Sequence, residues 1–249
     1  MNKVKIGFFS FTEITDASGH RAYNEWHQLD HMPEQFPLPG VAHGQRWVAT
    51  PECRRACAIQ EDLFRPTDYM TLYLMTDPID RTLEDFMELG RRLHGLGRFY
   101  QHRRSHLSGP FPFLEGHAAP RVCISAEAVP YRPNRGVYVI VEEPVDRQSM
   151  DTYLRRLHEH HLPAVLSLPG VAGVWSFATN PRYTGPGWTQ GNRRITVCYL
   201  DDDPIGVAGT LRPLLEERWT DAPLRPVFAG PLETITPWQW DWFEHEATP

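Results

Sequence analysis

The stretch YNEWHQLDHMPEQFPLPGV, residues 23–41, recurs as YLRRLHEHHLPAVLSLPGV, residues 153–171. Seven residues coincide at a constant displacement of 130 positions without a gap: Tyr23, His31, Pro33, Leu38, Pro39, Gly40 and Val41 match Tyr153, His161, Pro163, Leu168, Pro169, Gly170 and Val171. Self-similarity at a fixed spacing indicates a repeated structural unit. The sequence therefore predicts two copies of one module, at residues 1–117 and 136–249, joined by a linker at 118–135.

The two copies have the same order of predicted elements. The first copy reads as a strand (4–11), a helix (22–35), two strands (42–49 and 69–75), a helix (82–96) and an extended stretch within 103–114. The second copy reads as a strand (137–141), a helix (148–166), two strands (172–179 and 195–200), a helix (206–219) and a strand within 226–236. This βαββαβ order is the ferredoxin-like unit, with both helices on one face of an antiparallel sheet. The predicted class is α+β, with two sheets that bury their bare faces against each other.

Composition narrows the function classes. A net charge of −6 over 249 residues argues against a nucleic-acid partner, because such binding needs a basic face. No apolar run approaches the ~20 residues that span a bilayer, so no membrane segment is expected. The start lacks the features of a cleavable signal, which favours the cytoplasm. No Gly-rich dinucleotide fingerprint, phosphate loop or Gly-x-Ser-x-Gly elbow occurs, so no cofactor is expected.

The motif W-H-x-x-x-H-M-P-E-x-x-x-L-P-G-V at residues 26–41, with Arg46-Trp47 on the next predicted strand, resembles the EthD-like branch of the dimeric α+β barrel superfamily. The resemblance implies that the two sheets form an intramolecular dimeric α+β barrel. Relatives include cofactor-free polyketide cyclases, muconolactone isomerase and antibiotic-type monooxygenases, whereas heme-dependent chlorite dismutases and dye-decolorising peroxidases share the tandem form. The resemblance also implies a ligand pocket within one module, lined by residues on the sheet-facing side of the first helix.

Three side chains of the first helix are candidate catalytic groups. Tyr23, His27 and His31 are spaced at i, i+4 and i+8, so they share one helix face. Such a cluster can accept and donate protons near neutral pH, where histidine titrates. Exposed histidines and a core tyrosine are the structural alternative. His31 is favoured because it recurs as His161, and the first copy is favoured because it keeps the fuller polar face.

Five further residues are expected to contact substrate: Trp26, Arg46, Trp47, Phe9 and Tyr73. Arg46 offers a partner for a substrate carboxylate or phenolate, and a surface arginine is its alternative reading. The counterparts in the second copy are His161, Tyr153 and His158. The run HEHH at 158–161 suggests a metal, but only His158 and His161 share a helix face and no third ligand can be assigned, so no metal is expected.

These observations predict a cofactor-independent lyase, isomerase or cyclase that uses His31 for acid–base chemistry on a small, hydrophobic, aromatic molecule. A heme enzyme of the tandem type and a non-catalytic small-molecule-binding module are the alternatives. A homodimer is a further expectation, since the aromatic tail at residues 237–243 must be covered, either by packing within the chain or by a subunit contact.

Overall fold

The computed structural model describes residues 3–145, 150–220 and 222–243. We call the unit from the first to the fifth strand module one. It comprises β1 (Val4–Ile14), α1 (His20–Trp26), a π-helical turn (His27–His31), α2 (Met32–Gln35), β2 (Val41–Val48), α3 (Pro51–Ala56), β3 (Ile59–Gln60), β4 (Tyr69–Thr76), α4 (Ile79–Gly95) and β5 (Arg103–Ala118).

Module two begins at the sixth strand. It comprises β6 (Gly136–Pro144), α5 (Met150–Arg156), a π-helical turn (Leu157–His161), α6 (Leu162–Ser167), β7 (Val171–Ala178), β8 (Arg194–Leu200), α7 (Pro204–Trp219) and β9 (Leu224–Thr234). Two short 3-10 turns, Pro120–Val122 and Ala126–Tyr131, lie between the modules. The predicted domain boundaries stay a prediction.

The two sheets join into one barrel. The strand order is β2-β4-β1-β5 in module one and β7-β8-β6-β9 in module two, and all neighbours are antiparallel. The C-terminal part of β5 pairs with β7, where Phe113 opposes Phe177. Strand β2 pairs with β9, where Trp47 opposes Thr234, and this contact closes the ring. The predicted fold class is confirmed: the chain is an α+β protein whose two ferredoxin-like units form a dimeric α+β barrel.

The strand pleat assigns each side chain to one of two layers. Successive side chains of a strand point to opposite faces. On β1, Phe9 and Phe11 therefore enter the barrel interior, which is filled by aromatic and branched side chains, whereas Phe8 packs beneath the helices. Because the interior is packed, a ligand cavity has room only between the helices and the outer face of a sheet.

The leading helix of each module is interrupted by a π-helical turn at the same place. The Met32 N–H donates to the His27 carbonyl, and the Leu162 N–H donates to the Leu157 carbonyl, so both bonds span five residues. Pro33 and Pro163 follow immediately. A proline inside a helix lacks an N–H and its ring clashes with the carbonyl four residues earlier, and a locally wider turn relieves that clash. The sequence predicted an uninterrupted helix here, and the proline explains the difference.

The aromatic tail of the chain packs on module one. Trp240 is 3% exposed and shares a cluster with Ile14, Tyr23 and Tyr69. The Phe243 ring stacks on His20 with centroids 4.0 Å apart. The tail thus covers module one within the same chain. Across the described residues, no helix combines the length and apolar character needed to cross a membrane.

Candidate functional site

A cavity of about 220 Å³ lies in module one between its helices and the outer face of its sheet. The leading helix, α4 and strands β1, β4 and β5 supply most of the wall. Module two supplies the rest through a loop, because Pro186, Gly187 and Trp188 line the same space. The Trp188 indole meets the Phe8 ring edge-on, with centroids 6.3 Å apart. Both halves of the chain are therefore needed to enclose this cavity.

Tyr23, His27 and Tyr73 form a hydrogen-bonded row along the cavity wall. The Tyr23 hydroxyl lies 3.0 Å from His27 Nδ1, and the Tyr73 hydroxyl lies 3.5 Å from His27 Nε2. Burial lowers the pKa of His27 well below its usual value, and the nearby Arg46 guanidinium acts in the same direction. A neutral imidazole donates from one nitrogen and accepts at the other. His27 can therefore accept a hydrogen bond from one of the two tyrosine hydroxyls and donate one to the other.

His31 lies one step further along the helix, packed between aromatic rings. It stacks on Trp26 at 4.6 Å between centroids and meets Phe99 edge-on at 5.1 Å. Its Nδ1 atom is buried without a hydrogen-bond partner. Burial, followed by the charge of Arg103, lowers the pKa of His31 to about 4. His31 is thus neutral at physiological pH, so one of its two ring nitrogens can accept a proton.

Two guanidinium groups give this region a positive potential. Arg103 lines the cavity, with its guanidinium carbon 5.5 Å from the Trp26 ring centre and 5.2 Å from that of Phe99. Arg46 is 3% exposed and donates to Asn24 Oδ1 at 2.8 Å. Among the residues that the structure describes, no carboxylate pairs with either guanidinium, and no Asp or Glu lines the cavity. Arg103 is half-buried and faces the cavity, and a cation without a carboxylate partner favours an anionic ligand.

The cavity wall also carries polar atoms that lack partners. Five of the buried, unpartnered side-chain atoms in the described ranges belong to lining residues: His31 Nδ1, Gln35 Oε1, Thr71 Oγ1, Arg103 Nε and Trp188 Nε1. Buried polar groups in folded proteins are nearly always satisfied by protein, water or ligand. Water or a polar ligand in this one cavity would satisfy all five of these atoms.

The structure separates the predicted site residues into two groups. Those that line the cavity are Tyr23, Trp26, His27, His31 and Tyr73. Those that do not are Phe9, Trp47 and Arg46. Phe9 and Trp47 lie in the barrel interior, because the pleat turns them away from the helices, so neither contacts a ligand held here. Arg46 lies on the helix-facing side of β2 behind Tyr23, with its guanidinium carbon 5.2 Å from that ring centre.

Sequence reasoning missed two prominent wall residues, Arg103 and Trp188. Arg103 opposes Ile14 in the β1–β5 pairing, and only that register assigns its side chain to the helix-facing side. Trp188 belongs to the Gly- and Pro-rich loop of module two. Nothing local to that loop signals that it reaches module one.

The equivalent space in module two is nearly filled. It measures about 30 Å³ and is lined by His161 and Leu157, among others. Tyr153 takes the place of Tyr23, but its hydroxyl accepts a hydrogen bond from Arg218 Nε at 2.8 Å. Arg218 also pairs with the fully buried carboxylate of Glu142. His158 does not line this space, but its Nε2 atom lies 2.7 Å from Oε2 of Glu115, which does.

Helix α7 explains part of this filling. Aligning the first residues of α4 and α7, Ile79 and Pro204, places Gly90 opposite Leu215, since both lie 11 positions further on. Gly90 lines the large cavity, and a Cβ atom built on it meets nothing within 4 Å. Leu215 lines the small one. A glycine in one helix and a leucine in the other thus change the available volume directly.

Neither cavity fits a heme. A cavity of about 150 Å³ accommodates benzene, and one water needs ~10–15 Å³. The space beside His161 thus has room for about two waters, and the space beside His31 has room for one substituted aromatic ring. A porphyrin is several times larger than benzene.

Comparison with known proteins identifies the fold. No family model and no curated protein match the chain. A solved structure of a candidate chlorite dismutase is 11% identical, with 97% of this chain and 99% of that chain covered and a TM-score of 0.58. A variant of the chlorite dismutase from Candidatus Nitrospira defluvii is 14% identical, with 100% and 97% covered and a TM-score of 0.53.

A candidate monooxygenase from Fusobacterium nucleatum is 10% identical, with 95% of this chain and 94% of that chain covered and a TM-score of 0.52. Identities this low show likeness of fold alone. The likeness shows that the chain has the dimeric α+β barrel fold.

Proposed function

We propose that the chain is a cofactor-independent acid–base enzyme, a lyase, isomerase or cyclase, acting in the cavity of module one on a small aromatic molecule that carries an acidic group. The observation that carries the proposal is that a neutral His31 and Arg103, which has no carboxylate partner among the described residues, face the same 220 Å³ space. One group can take a proton, and the other can hold the negative charge that results.

The walls set the size and kind of substrate. Phe8, Trp26, Phe86, Phe99 and Trp188 surround the space with aromatic rings. Aromatic surfaces of this kind favour flat apolar molecules in offset-stacked or edge-on contact. Because a cavity of about 150 Å³ accommodates benzene, a single substituted ring matches the volume of about 220 Å³. The polar substituent would lie toward Arg103, since a planar guanidinium binds a carboxylate or phenolate through paired hydrogen bonds.

Proton transfer would begin at His31. Its neutral imidazole accepts a proton from an acidic C–H or O–H of the substrate, and the electron pair left behind delocalises as an enolate or phenolate. Arg103 stabilises this anion directly, and hydroxyl groups on the wall, such as those of Ser10 and Thr71, offer further donors. The same imidazolium then returns the proton at a second position or to a leaving group. Tyr23 and His27 hold the neighbouring wall in one hydrogen-bonded arrangement.

The repeat supports a further, evolutionary proposal. The seven matching residues at a displacement of 130 and the π-helical turns in equivalent places support an origin by duplication of one module. The W-H-x-x-x-H-M-P-E motif supports an EthD-like ancestor. The cytoplasmic location and the homodimer stay predictions.

A panel of single-ring aromatic acids and phenols, each paired with its methyl ester or methyl ether, tests the function. We expect at least one acidic member to raise the melting temperature of the purified chain and to be converted, while its neutral partner binds at least about tenfold more weakly, as loss of one charge-assisted contact predicts. Binding without conversion of any member would support the non-catalytic alternative. A Soret band that accompanies activity would overturn the cofactor-free assignment.

A further inference from the structure

A second cluster of titratable side chains lies between the modules, where β5 of module one meets the leading helix of module two. Glu115 and His117 are two positions apart on β5, so they project from the same face. His158 reaches them from the π-helical turn. One ligand atom from each of the three side chains lies within 4.8 Å of the other two. We call these three residues the 115–117–158 cluster.

We infer that the 115–117–158 cluster binds a divalent transition-metal ion, of which Zn²⁺ is the best match. Two imidazoles and one carboxylate are a common protein ligand set for such ions. The Glu115 Oε2 atom lies 3.1 Å from His117 Nε2 and 2.7 Å from His158 Nε2. In a tetrahedral site with metal–ligand bonds of about 2.0–2.1 Å, neighbouring ligand atoms are about 3.3 Å apart. Small rotations of these side chains therefore produce the required geometry.

The carboxylate is already oriented for this role. Arg194 Nη2 donates to Glu115 Oε1 at 2.9 Å, which leaves Oε2 facing the two imidazoles. Outer hydrogen bonds of this kind fix ligand orientation in metal sites. The positive charge of Arg194 also opposes a cation, so we expect a dissociation constant on the order of micromolar, weaker than in a four-ligand structural site.

The position of the cluster indicates a structural role. The side chains of Glu115, His117 and His158 are 25%, 37% and 44% exposed, so an ion can enter from solvent. The cavity behind them holds only about 30 Å³, which leaves no room for a substrate. A bound ion would instead connect β5 to the leading helix of module two, and water would complete its coordination. The site is independent of the proposed function of module one.

Titration of untagged, metal-free protein with ZnCl₂, monitored by calorimetry, tests the inference. The melting temperature of the zinc-loaded protein is then measured with and without EDTA. CoCl₂ provides a spectroscopic probe, because tetrahedral Co²⁺ absorbs strongly in the visible range. We expect one equivalent to bind and the melting temperature to rise. His117→Ala, His158→Ala and Glu115→Gln should each weaken binding by more than about 100-fold, beyond the 10–100-fold cost of losing an outer-shell partner.

His160→Ala is the matched control, since His160 belongs to the same HEHH run but lies outside the cluster. It should bind Zn²⁺ like the unaltered chain. Failure of the unaltered chain to bind would overturn the inference. Binding that survives all three substitutions, or that disappears in His160→Ala, would also overturn it by assigning the ion to another surface histidine.

Discussion

Module one and module two share one fold and the same π-helical turn, yet the spaces beneath their helices differ sevenfold, at about 220 and 30 Å³. In module one, unpaired polar atoms surround an open space. In module two, the cation of Arg218 has its own anion, Glu142, and a tyrosine partner. Among the described residues, the positive charge of Arg103 in module one therefore has no counterion, whereas that of Arg218 in module two has one.

The two modules differ in how each balances a positive charge. A buried charge that finds a partner within the protein contributes to the structure, whereas one that lacks a partner leaves binding capacity for a ligand. Arg103 and Arg218 are the contrasting cations. The following predictions test that contrast, from the largest expected effect to the smallest.

Removing the two equivalent histidines should have unequal consequences. We expect His31→Ala to lower turnover of the substrate found by the aromatic panel by ~10²–10⁴-fold, the usual contribution of a positioned proton acceptor. His161→Ala, at the same position in module two, should leave turnover unchanged. Steady-state kinetics and circular dichroism of both variants check this. Equal losses, or retained turnover in His31→Ala, would contradict the assignment of the active half.

Removing Arg218 should lower the stability of the protein much more than removing Arg103. In stability, therefore, the larger effect falls on module two. We expect Arg218→Met to lower the free energy of unfolding by about 3–5 kcal/mol, because the buried carboxylate of Glu142 loses its counterion. Arg103→Met should change it by about 1 kcal/mol or less, since that guanidinium makes ring contacts and no ion pair among the described residues. Urea unfolding of both variants measures the difference, and comparable losses would show that Arg103 has an internal partner.

Filling the cavity of module one should abolish its room for a ligand, as the side chains of module two already do there. We expect Gly90→Leu to weaken binding of the aromatic ligand by at least about tenfold, while raising stability by about 1 kcal/mol because leucine is the better helix former. Gly209→Leu, on the exposed face of α7, is the control: its added Cβ also meets nothing within 4 Å, so the helix gain is similar, but no cavity is filled. Unchanged binding in Gly90→Leu would place the ligand elsewhere.

Much of the fold could be predicted from the sequence because its signals are periodic. The displacement of 130 residues and the repeated βαββαβ order identify two ferredoxin-like units. Helical spacing likewise predicted that Tyr23, His27 and His31 share a face, and all three line the cavity. These signals succeed because they depend on local geometry that neighbouring residues fix together.

The remaining site residues depend on contacts that no local pattern encodes. Phenylalanine occurs on both faces of β1, so alternation of polar and apolar residues could not show that Phe8 faces the helices and Phe9 the barrel interior. Arg103 required the register of β5 against β1. Trp188 comes from module two but lines the cavity of module one. The 115–117–158 cluster likewise contains residues of both modules. Tertiary pairing, absent from any single segment, brings them together.

The pH dependence of catalysis gives the finest test of the contrast. Burial and Arg103 disfavour the imidazolium form of His31 and lower its pKa to about 4, so the base stays neutral as the pH falls from 7 to about 5. We expect kcat/KM, which reports the free enzyme, to decline only as the pH approaches 4, well below the 6.5 of a free imidazole. Replacing Arg103 tests the cause of this low pKa. Arg103→Met removes a cation that opposes protonation of His31, so the decline in kcat/KM should move to higher pH. The side chain of Arg104 is 67% exposed, and Arg104→Met should leave the decline at the same pH. A decline centred near 6.5 in the unaltered chain would mean that the reacting histidine is hydrated, which contradicts an enclosed base beside an unpaired guanidinium.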